Sequence, residues 1–537
     1  MEFIGDGISN LNAEYRNGID VMTTETTCLS SIWRTDDEIK NFYEVHDRAE
    51  DYKELNPGSV AYYDGIVYVD LSTIKPMIAM PFHPSNTYTI DELNANLEDI
   101  LADVEKKAVK TINNPDIHFK LRDKIKNGRL YVDQGVIAGC AGGTYDNICD
   151  VADILNGQSI GADDFALSVY PSSQPVFMQL VENGSIFKLM NAGATVRSAF
   201  CGPCFGAGDV PSNEGLSIRH STRNFPNREG SKPGNGQIAS VALMDARSIA
   251  ATAVNKGFLT SAENIDVEFT KPKYFFNKSV YDNRVYQGFG KADTSVELKL
   301  GPNITDWPEM VALPENLLVK VVSLITDPVT TTDELIPSGE TSSYRSNPLG
   351  LAEFTLSRKD PAYVGRAKEV QVAEKAIEAG NCPSQAFPEV KPIMDTIKTK
   401  FTISRDVMGI GSTIFAVKPG DGSAREQAAS CQKVLGGWAN IAREYATKRY
   451  RSNLINWGML PFIFDEENLP FENGDYVFIP QVAQGIKDKK SEFTAYVVRN
   501  GEMKEFTLKM GELTDDEREI ILAGCLINYN RNKNKNK

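Results

Sequence analysis

The sequence predicts a multidomain α/β protein, and three observations support this class. Its 537 residues exceed the usual length of one domain. Hydrophobic and aromatic contents of 41% and 9% are sufficient for folded cores. A pattern of strand, glycine turn and helix occurs at 136–155 and again at 413–430. Because this pattern places turn residues at the carboxyl edge of a sheet, beside a helix N-terminus, both segments are candidate sites.

The first predicted domain covers residues 1–110. It mixes helical and strand patterns and includes an extended apolar stretch at 65–71. An amphipathic helix is predicted over 91–110, because apolar residues recur there at spacings of three and four.

The second predicted domain covers residues 111–285 and carries the first strand–turn–helix unit. The strand candidate 136–138 leads into the glycine-rich turn 139–143, and a helix with one apolar face follows. The turn-rich stretch 200–235 comes later. An irregular segment of this length inside a compact domain usually carries function.

A linker is predicted at 286–315 and a third domain at 316–527. The third domain begins with the strand candidate 318–322 and contains the second strand–turn–helix unit. The tail, 528–537, is rich in Asn and Lys and is predicted to be disordered.

Charge and composition narrow the class of protein further. The chain has 57 basic and 72 acidic residues, a net charge of −15, which disfavours general binding to nucleic acid or an anionic membrane. No apolar run approaches the ~18 residues that span a bilayer, and the N-terminus lacks a signal-peptide pattern. We therefore expect a cytoplasmic protein with no membrane contact, in which a local basic pocket could still bind a small anion.

Cysteines form the first candidate site. Eight cysteines in a chain of this length are too few for a disulfide framework. Cys201 and Cys204 form a C-x-x-C, and both they and Cys140 lie in glycine-rich turns whose N–H groups can stabilise thiolates. Three thiolates are one fewer than a four-iron cluster needs, so the remaining iron could act as a Lewis acid. The alternative is a redox or structural C-x-x-C with an unrelated buried Cys140.

Arginines form the second candidate site. Arg219, Arg223 and Arg228 form a basic run at 219–228, within a loop rich in glycine and proline. Guanidinium groups bind carboxylates bidentately, so this run suggests a clamp for a carboxylate or phosphate. The alternative is that these are surface arginines paired with nearby acids. Arg345 is a single candidate with the same alternative.

The loop 418–426 is the third candidate site, and it lies between a predicted strand and a predicted helix. The dipole of that helix, together with Arg425, would bind an anion and favour ionisation of the Ser423 hydroxyl. The alternative is that Ser423 only caps the helix.

Together these motifs resemble the aconitase family of iron–sulfur hydro-lyases. They are Cys140, Cys-Gly-Pro-Cys at 201–204, Arg-Asn-Phe at 223–225 with Arg228, and Gly-Asp-Gly-Ser-Ala-Arg-Glu at 420–426. Further similarity lies at 2–7, 70–84 and 460–462. The resemblance covers most of residues 1–465. It implies aconitase-like cluster domains with three-layer α/β/α architecture, followed by a swivelling β/α domain.

The resemblance also implies a role for each matching residue. Cys140, Cys201 and Cys204 would be the ligands of a [4Fe-4S] cluster. Ser423 would be the base that removes the substrate proton, and Glu25 would match the family's glutamate that handles substrate and protons. The residues that would hold substrate carboxylates are Arg223, Arg228, Arg345 and Arg425. The implied reaction is hydration and dehydration of a small di- or tricarboxylic hydroxy acid.

The sequence departs from the family pattern at several positions. Val21 and Thr222 replace asparagines, Ala424 replaces a second serine, and 141–143 reads Ala-Gly-Gly in place of Thr-Asn-Ser. The chain also begins where the family's second domain would begin. The Asp-Ser-His motif that protonates the leaving hydroxyl is therefore expected on a separate chain, or lost. The alternative function is a catalytically degenerate aconitase-like protein that binds or regulates.

Overall fold

Two structural units divide the chain in the computed structural model, Met1–Glu297 and Leu298–Lys537. The structure describes residues 1–26, 28–112, 114–232, 236–337, 341–403 and 408–535. The boundary between the units lies inside the predicted linker, 286–315. Each unit is built around a sheet of its own.

The first unit combines short strands with helices of moderate length. Its strands are β1 (Glu2–Phe3), β2 (Ile32–Trp33), β3 (Met77–Ala79), β4 (Thr87–Thr89), β5 (Ile125–Lys126), β6 (Arg129–Leu130), β7 (Gln134–Ile137), β8 (Ala166–Val169), β9 (Thr195–Val196), β10 (Leu216–His220) and β11 (Ser240–Met244). Its helices are α1 (Ala13–Met22), α2 (Asp37–Val45), α3 (Ile90–Ala95), α4 (Leu97–Ile112), α5 (Gly139–Gly142), α6 (Tyr145–Leu155), α7 (Gln174–Glu182), α8 (Ser185–Ala192), α9 (Ala246–Val254) and α10 (Ser279–Arg284). The first predicted strand–turn–helix unit is confirmed as β7, α5 and α6.

A seven-stranded sheet organises this unit, in the order β4-β3-β11-β10-β7-β8-β9. The strands from β7 to β11 run parallel to one another, so their carboxyl ends meet at one edge. After β7 the chain adds β8 and β9 on one side, then returns to add β10 and β11 on the other. The connection that leaves β7 and the connection that leaves β10 therefore run in opposite directions across the sheet. Open α/β sheets bind their ligands in a crevice of this kind.

The two faces of this sheet differ in chemistry. Ile218 of β10 lies in the main hydrophobic core, which packs against α4, α6 and α9. Its neighbours Ser217 and Arg219 point to the opposite face, where the guanidinium of Arg219 bonds to the segment 197–215 that precedes β10. A small apolar cluster around Met22 of α1 covers another part of that face. That face is therefore covered partly by this loop and partly by the end of α1.

The N-terminal part of the unit differs from its prediction in three ways. The helix predicted over 91–110 is interrupted at Asn96, which adopts a φ of −127° and whose side-chain amide donates to the Glu92 carbonyl (3.0 Å). The seven-stranded sheet also crosses the predicted domain boundary at residue 110. Strands β3 and β4 precede this residue in the sequence, and the other five strands follow it. The apolar stretch 65–71 lies outside the strands of the described fold, and its side chains are exposed.

The second unit contains longer strands. These are β12 (Asn316–Ile325), β13 (Thr330–Thr331), β14 (Met408–Ala416), β15 (Pro419–Asp421), β16 (Gly437–Ala442), β17 (Leu460–Ile463), β18 (Tyr476–Ile479), β19 (Glu492–Arg499) and β20 (Glu502–Met510). Its helices are α11 (Thr332–Leu335), α12 (Pro348–Ala352), α13 (Tyr363–Glu378), α14 (Pro383–Ala386), α15 (Val390–Lys398), α16 (Arg425–Val434), α17 (Lys448–Asn456), α18 (Val482–Lys487), α19 (Asp515–Ala523) and α20 (Leu526–Lys535). Among the described residues, no helix combines the length and apolar character that crossing a bilayer requires.

A closed barrel forms the centre of this unit, in the order β12-β14-β16-β17-β20-β19-β18. The first four of these strands are parallel, and the last three join them in antiparallel pairs. Leu317 and Val319 belong to one core cluster and Leu318 to another, so β12 is buried on both faces. The strand prediction at 318–322 is confirmed by β12, and the strand that begins the predicted unit 413–430 is confirmed by β14.

Residues 528–535 of the C-terminal tail are helical, where composition predicts disorder. Helix α20 continues to Lys535. The side-chain amide of Asn528 donates to the carbonyls of Met310 (2.7 Å) and Ala523 (3.0 Å), which ties the first turn of the helix to the rest of the unit. Composition alone carries no information about these contacts.

Candidate functional site

The carboxyl edge of the parallel strands gathers the predicted site residues of the first unit. Cys140 follows β7, Cys201 and Cys204 follow β9, and Arg223 and Arg228 follow β10. Glu25, which lies just after α1, reaches the same edge through an ion pair with Arg223. Motifs that are far apart in the sequence meet here because parallel strands end on one side of a sheet.

Cys201 and Cys204 lie beside Gly139, the residue that precedes Cys140. A side chain on Gly139 would place its Cβ 3.1 Å from Cys204 Sγ and 3.7 Å from Cys201 Sγ, so the glycine keeps the space beside these two sulfur atoms open. Burial and the charge of Cys201 raise the pKa of the Cys140 thiol, whereas Arg223 lowers it. A hydrogen bond with Cys201 and burial raise the pKa of Cys204. The three thiols therefore interact electrostatically as one group.

The glycines after Cys140 are required by close packing. A Cβ on Gly142 would lie 2.2 Å from the carbonyl oxygen of His220, and a Cβ on Gly143 would lie 2.2 Å from that of Tyr170. Both distances are far shorter than a van der Waals contact between a Cβ atom and an oxygen. Helix α5 can therefore approach the ends of β8 and β10 only with glycine at these positions, which is a physical reason for the Ala-Gly-Gly departure at 141–143.

The carbonyl oxygens of the turn 201–204 all accept hydrogen bonds. Those of the first two residues accept from backbone N–H groups within or just after the turn. The Pro203 carbonyl accepts from Arg219 Nη1 (2.5 Å), and the Cys204 carbonyl accepts from Arg228 Nε (3.0 Å). Arg228, predicted to hold substrate, thus supports the cysteine turn through its Nε atom.

Glu25 and Arg223 form a largely buried ion pair. Arg223 Nε donates to Glu25 Oε1 over 2.7 Å, and the two side chains are 14% and 7% exposed. Arg223 Nη1 also donates to Thr222 Oγ1 (2.9 Å), so the residue that replaces the family's asparagine still contacts the guanidinium. The pair brings a carboxylate and a cation to the cysteine edge, where a proton or a substrate carboxylate can be handled.

The donors at this edge fit an iron–sulfur cluster. Thiols dominate the set, and the charge of Arg223 beside Cys140 suits the negative charge of thiolate ligands. Within the described ranges, no three His, Cys, Asp or Glu side chains are arranged to hold a single metal ion. Cluster ligands bind different irons, so the cysteines of a cluster site need not meet at one point.

In the second unit, a tight loop joins β15 to α16 and carries Ser423. Gly420 and Gly422 have φ values of 97° and 121°, which favour glycine, and a Cβ on Gly422 would lie 2.3 Å from Thr332 Oγ1. The N-cap of α16 is Ala424, which makes no side-chain capping bond. Ser423 thus lies one residue before the N-cap position, and its role stays a prediction.

The two remaining arginine candidates lie near this helix. Arg425 is the first residue of α16 and is 5% exposed, and its Nε donates to Thr447 Oγ1 (3.1 Å). Arg345 is exposed and lies shortly before α12, a helix that packs against α16. The second unit thus brings Ser423 and Arg425 to one helix N-terminus and places Arg345 at the start of a neighbouring helix.

Arg219 belongs to the basic run 219–228 but is not one of the arginines predicted to hold substrate, and its role in the structure is a supporting one. It is fully buried and bonds to the cysteine turn. The signal that could have identified it is the alternation along 216–220, in which Arg219 falls on the face opposite the apolar Ile218.

Curated relatives of this chain are 3-isopropylmalate dehydratase large subunits. That of Clostridioides difficile (strain 630) is 28% identical over 254 residues, 46% of this chain and 52% of that protein. That of Clostridium botulinum (strain Alaska E43 / Type E3) is 29% identical over 265 residues, 49% and 53% of the two chains. The chain spans about half the length of the curated relatives it matches. The solved 3-isopropylmalate dehydratase structure from Methanocaldococcus jannaschii is 23% identical and covers 41% of this chain and 96% of that chain, with a TM-score of 0.26.

Family models cover both units. The model of the aconitase family (aconitate hydratase) matches residues 1–251, and the model of the aconitase C-terminal domain matches residues 377–467. These ranges include the cysteine edge of the first unit and the Ser423 loop of the second. By these matches, the chain belongs to the aconitase and isopropylmalate isomerase family.

Proposed function

We propose that this chain is the cluster-holding part of a hydro-lyase that adds and removes water on a small di- or tricarboxylic hydroxy acid. The observation that carries the proposal is the meeting of Cys140, Cys201 and Cys204 with the Glu25–Arg223 pair at the carboxyl edge of one sheet. The site lies where the connections after β7 and β10 diverge, which is the usual position of a ligand crevice.

The three cysteines would hold a [4Fe-4S] cluster, and its iron without a thiolate ligand would supply a Lewis acid for a substrate hydroxyl. Arg223 would bind a substrate carboxylate, for which its guanidinium is well suited. Glu25, held at 2.7 Å from Arg223, is placed to accept or return a proton at its carboxylate. Arg228 would contribute positive charge while its Nε holds the Cys204 carbonyl.

The second unit would supply the base. A serine hydroxyl loses its proton only where positive charge stabilises the alkoxide. Ser423 lies two residues before the first residue of α16, and Arg425 adds a buried cation at the same helix N-terminus. We assign proton removal to Ser423 and carboxylate binding to Arg425 and Arg345. In this scheme the second unit acts as the swivelling domain.

The substrate class we favour is a dicarboxylic alkylmalate. The curated relatives carry the name 3-isopropylmalate dehydratase large subunit. Val21 and Ala424 lack hydrogen-bonding side chains that the family pattern has at these positions, which reduces the polar contacts available for a third carboxylate. Isopropylmalate is therefore the first compound to test, with citrate as the comparison.

A separate polypeptide would complete the enzyme. The relatives are named as large subunits and are about twice as long as the region they share with this chain. We propose that a partner chain supplies the Asp-Ser-His motif that protonates the leaving hydroxyl. The chain alone would then bind cluster and carboxylate but turn over slowly.

Anaerobic reconstitution with iron and sulfide tests the proposal directly. We expect close to four irons per chain and a broad visible absorbance, both abolished in Cys201→Ser and Cys204→Ser. Cys149→Ser is the matched control, because this cysteine is buried in α6 away from the turn, and it should load normally. Tight zinc binding without an iron chromophore would refute the cluster. A loaded protein that binds isopropylmalate, yet stays inactive with the Asp-Ser-His partner added, would favour the degenerate binding protein instead.

A further inference from the structure

Arg219 is an arginine of β10 that is 1% exposed. Its Nε donates to Ser217 Oγ (2.9 Å), and its Nη1 donates to the Pro203 carbonyl (2.5 Å). Its Nη2 donates to the Asp209 carbonyl (2.8 Å) and to Gln134 Oε1 (3.3 Å). Only the planar guanidinium offers this many donors in a fixed arrangement, so lysine could not replace it bond for bond.

Two of these acceptors belong to the loop that carries the cysteines. Pro203 lies between Cys201 and Cys204, and Asp209 follows shortly after them. Arg219 therefore fastens this segment to the middle of the sheet at two carbonyls. The side chain of Asp209 also accepts hydrogen bonds from Ser168 Oγ (2.9 Å) and from the Tyr170 hydroxyl, which attach the same segment to β8.

The charge of Arg219 has no hydrogen-bonded counterion among the described residues. All of its acceptors there are neutral carbonyl, amide or hydroxyl oxygens. Burial lowers its pKa, while Glu229, Cys204 and Asp209 are the nearby groups whose negative charge raises it most. A buried cation bonded only to neutral groups is costly unless negative charge is close by. Of these three groups, Cys204 is the one that would carry a metal-bound thiolate.

We propose that Arg219 is the positioning residue of the cluster site: it fixes the turn 201–204 and supplies the buried positive charge that a thiolate-bound cluster requires. This inference rests on the proposed function, since it assumes a cluster on these cysteines. Arg219 acts through the turn, and its described contacts are all with the protein itself.

Two substitutions separate the two parts of this role. Arg219→Lys keeps the charge but loses the multiple bonds, whereas Arg219→Met loses both. Arg16→Lys is the matched control, because Arg16 is 2% exposed in the same unit and bonds to the carbonyls of Leu11 and Ile8 instead of those of the turn 201–204.

The first measurement uses metal-free protein and iodoacetamide. We expect Cys204 to be alkylated at least tenfold faster in both Arg219 variants than in the wild type or in Arg16→Lys. Cys149, buried in α6, serves as an internal control and should stay unreactive in the same samples, which separates a loosened turn from general unfolding. If Arg219→Met does not fold, Arg219→Lys alone decides this measurement.

The second measurement uses reconstituted protein. Loss of a buried positive charge disfavours the more negative, reduced cluster, so we expect a lower reduction potential in Arg219→Met and a value close to the wild type in Arg219→Lys.

Unchanged alkylation of Cys204 in both variants would overturn the positioning role. An unchanged potential in Arg219→Met would overturn the charge role. A wild-type protein that takes up no iron would refute the proposed function and the charge role, while the alkylation rates would still decide whether Arg219 holds the turn.

Discussion

Arg223 Nε lies 2.7 Å from Glu25 Oε1, and this ion pair joins two segments that are 198 residues apart in the sequence. Glu25 belongs to the short helical turn Thr23–Thr26 after α1, and Arg223 belongs to the loop after β10. A substrate carboxylate that binds Arg223 must share the guanidinium with Glu25 or displace it. Binding of a carboxylate to Arg223 would therefore weaken or break the hydrogen bond that holds Glu25.

Replacing Glu25 should separate binding from turnover. In Glu25→Gln the competing negative charge is gone, so we expect isopropylmalate to bind at least as tightly as in the wild type. We expect turnover to fall by ~100-fold or more, because removal of a general acid–base group has this effect. Calorimetric binding and activity of the loaded protein with its partner chain give the two quantities.

Asp36→Asn is the matched control for Glu25→Gln, because Asp36 also pairs with a buried arginine, Arg16, in the same unit. It should leave both quantities unchanged. Equal losses of affinity and turnover in Glu25→Gln would show that Glu25 acts only by holding Arg223 in place.

Gly142→Ala should weaken the cysteine site through packing. The added Cβ would lie 2.2 Å from the His220 carbonyl, so α5 and Cys140 would have to move away from the end of β10. We expect a loss of ~2 kcal/mol or more in unfolding free energy, as for other severe steric changes, together with a lower iron content.

Gly365→Ala is the control for this substitution, since Gly365 lies in α13 with open space around its Cα. It should stabilise the chain by up to ~1 kcal/mol, because alanine favours a helix over glycine. Chemical denaturation measures both variants, and a neutral Gly142→Ala would contradict the tight approach of α5.

Several features of the fold followed from local sequence patterns. The unit of β7, α5 and α6 was predicted because a strand, a glycine turn and an apolar helical face are each encoded by neighbouring residues. The strand at 318–322 was predicted in the same way. For the site, the sequence singled out Cys140, Cys201 and Cys204, and the structure brings them to one edge.

Other features depend on contacts between distant residues. The stretch 65–71 has a strong strand pattern but lies outside the strands of the described fold, because a strand requires a neighbour as well as a propensity. The interruption at Asn96 and the helical tail depend on particular side-chain bonds to carbonyls. The support of the cysteine turn by Arg219 depends on the order of strands in the sheet, which one sequence does not encode locally.

Lys433 should make the stability of the chain depend on alkaline pH. Burial lowers its pKa from 10.5 to about 8, against the opposing effects of Cys525, Glu374 and Glu378. Its Nζ has no hydrogen-bond partner within the described part of the chain. Between pH 8 and 10.5 the unfolded chain holds the proton more tightly than the folded one. Above about pH 10.5 the amine is neutral in both states and the folded chain has its full stability. This stability is lost as the pH falls through 8, where the buried amine must take up a proton. The cost at pH 7 is on the order of 3 kcal/mol.

Lys433→Met removes this cost. We expect its unfolding free energy at pH 7 to exceed that of the wild type by up to ~2 kcal/mol, since the cation–π contact with Trp438 (3.7 Å) is lost as well. The gain should disappear near pH 10.5. Urea unfolding at both pH values measures it, with exposed Lys487→Met as the control. A loss of stability of equal size at both pH values would contradict a buried neutral amine.

Ser423 should be required for turnover and for no other property of the loaded protein. It lies one residue before Ala424, which occupies the N-cap position of α16, and the buried Arg425 lies at the same helix N-terminus. We expect Ser423→Ala to keep its iron and its affinity for isopropylmalate, because neither cluster nor carboxylate depends on this hydroxyl. Turnover stimulated by a partner chain that carries the Asp-Ser-His motif should fall by ~100-fold or more, since no other group would remove the proton.

Ser491→Ala, at an exposed position of the same unit, should retain full stimulation. Full stimulation in Ser423→Ala would assign proton removal to another residue, and Glu25, as the carboxylate paired with Arg223, would be the first to test.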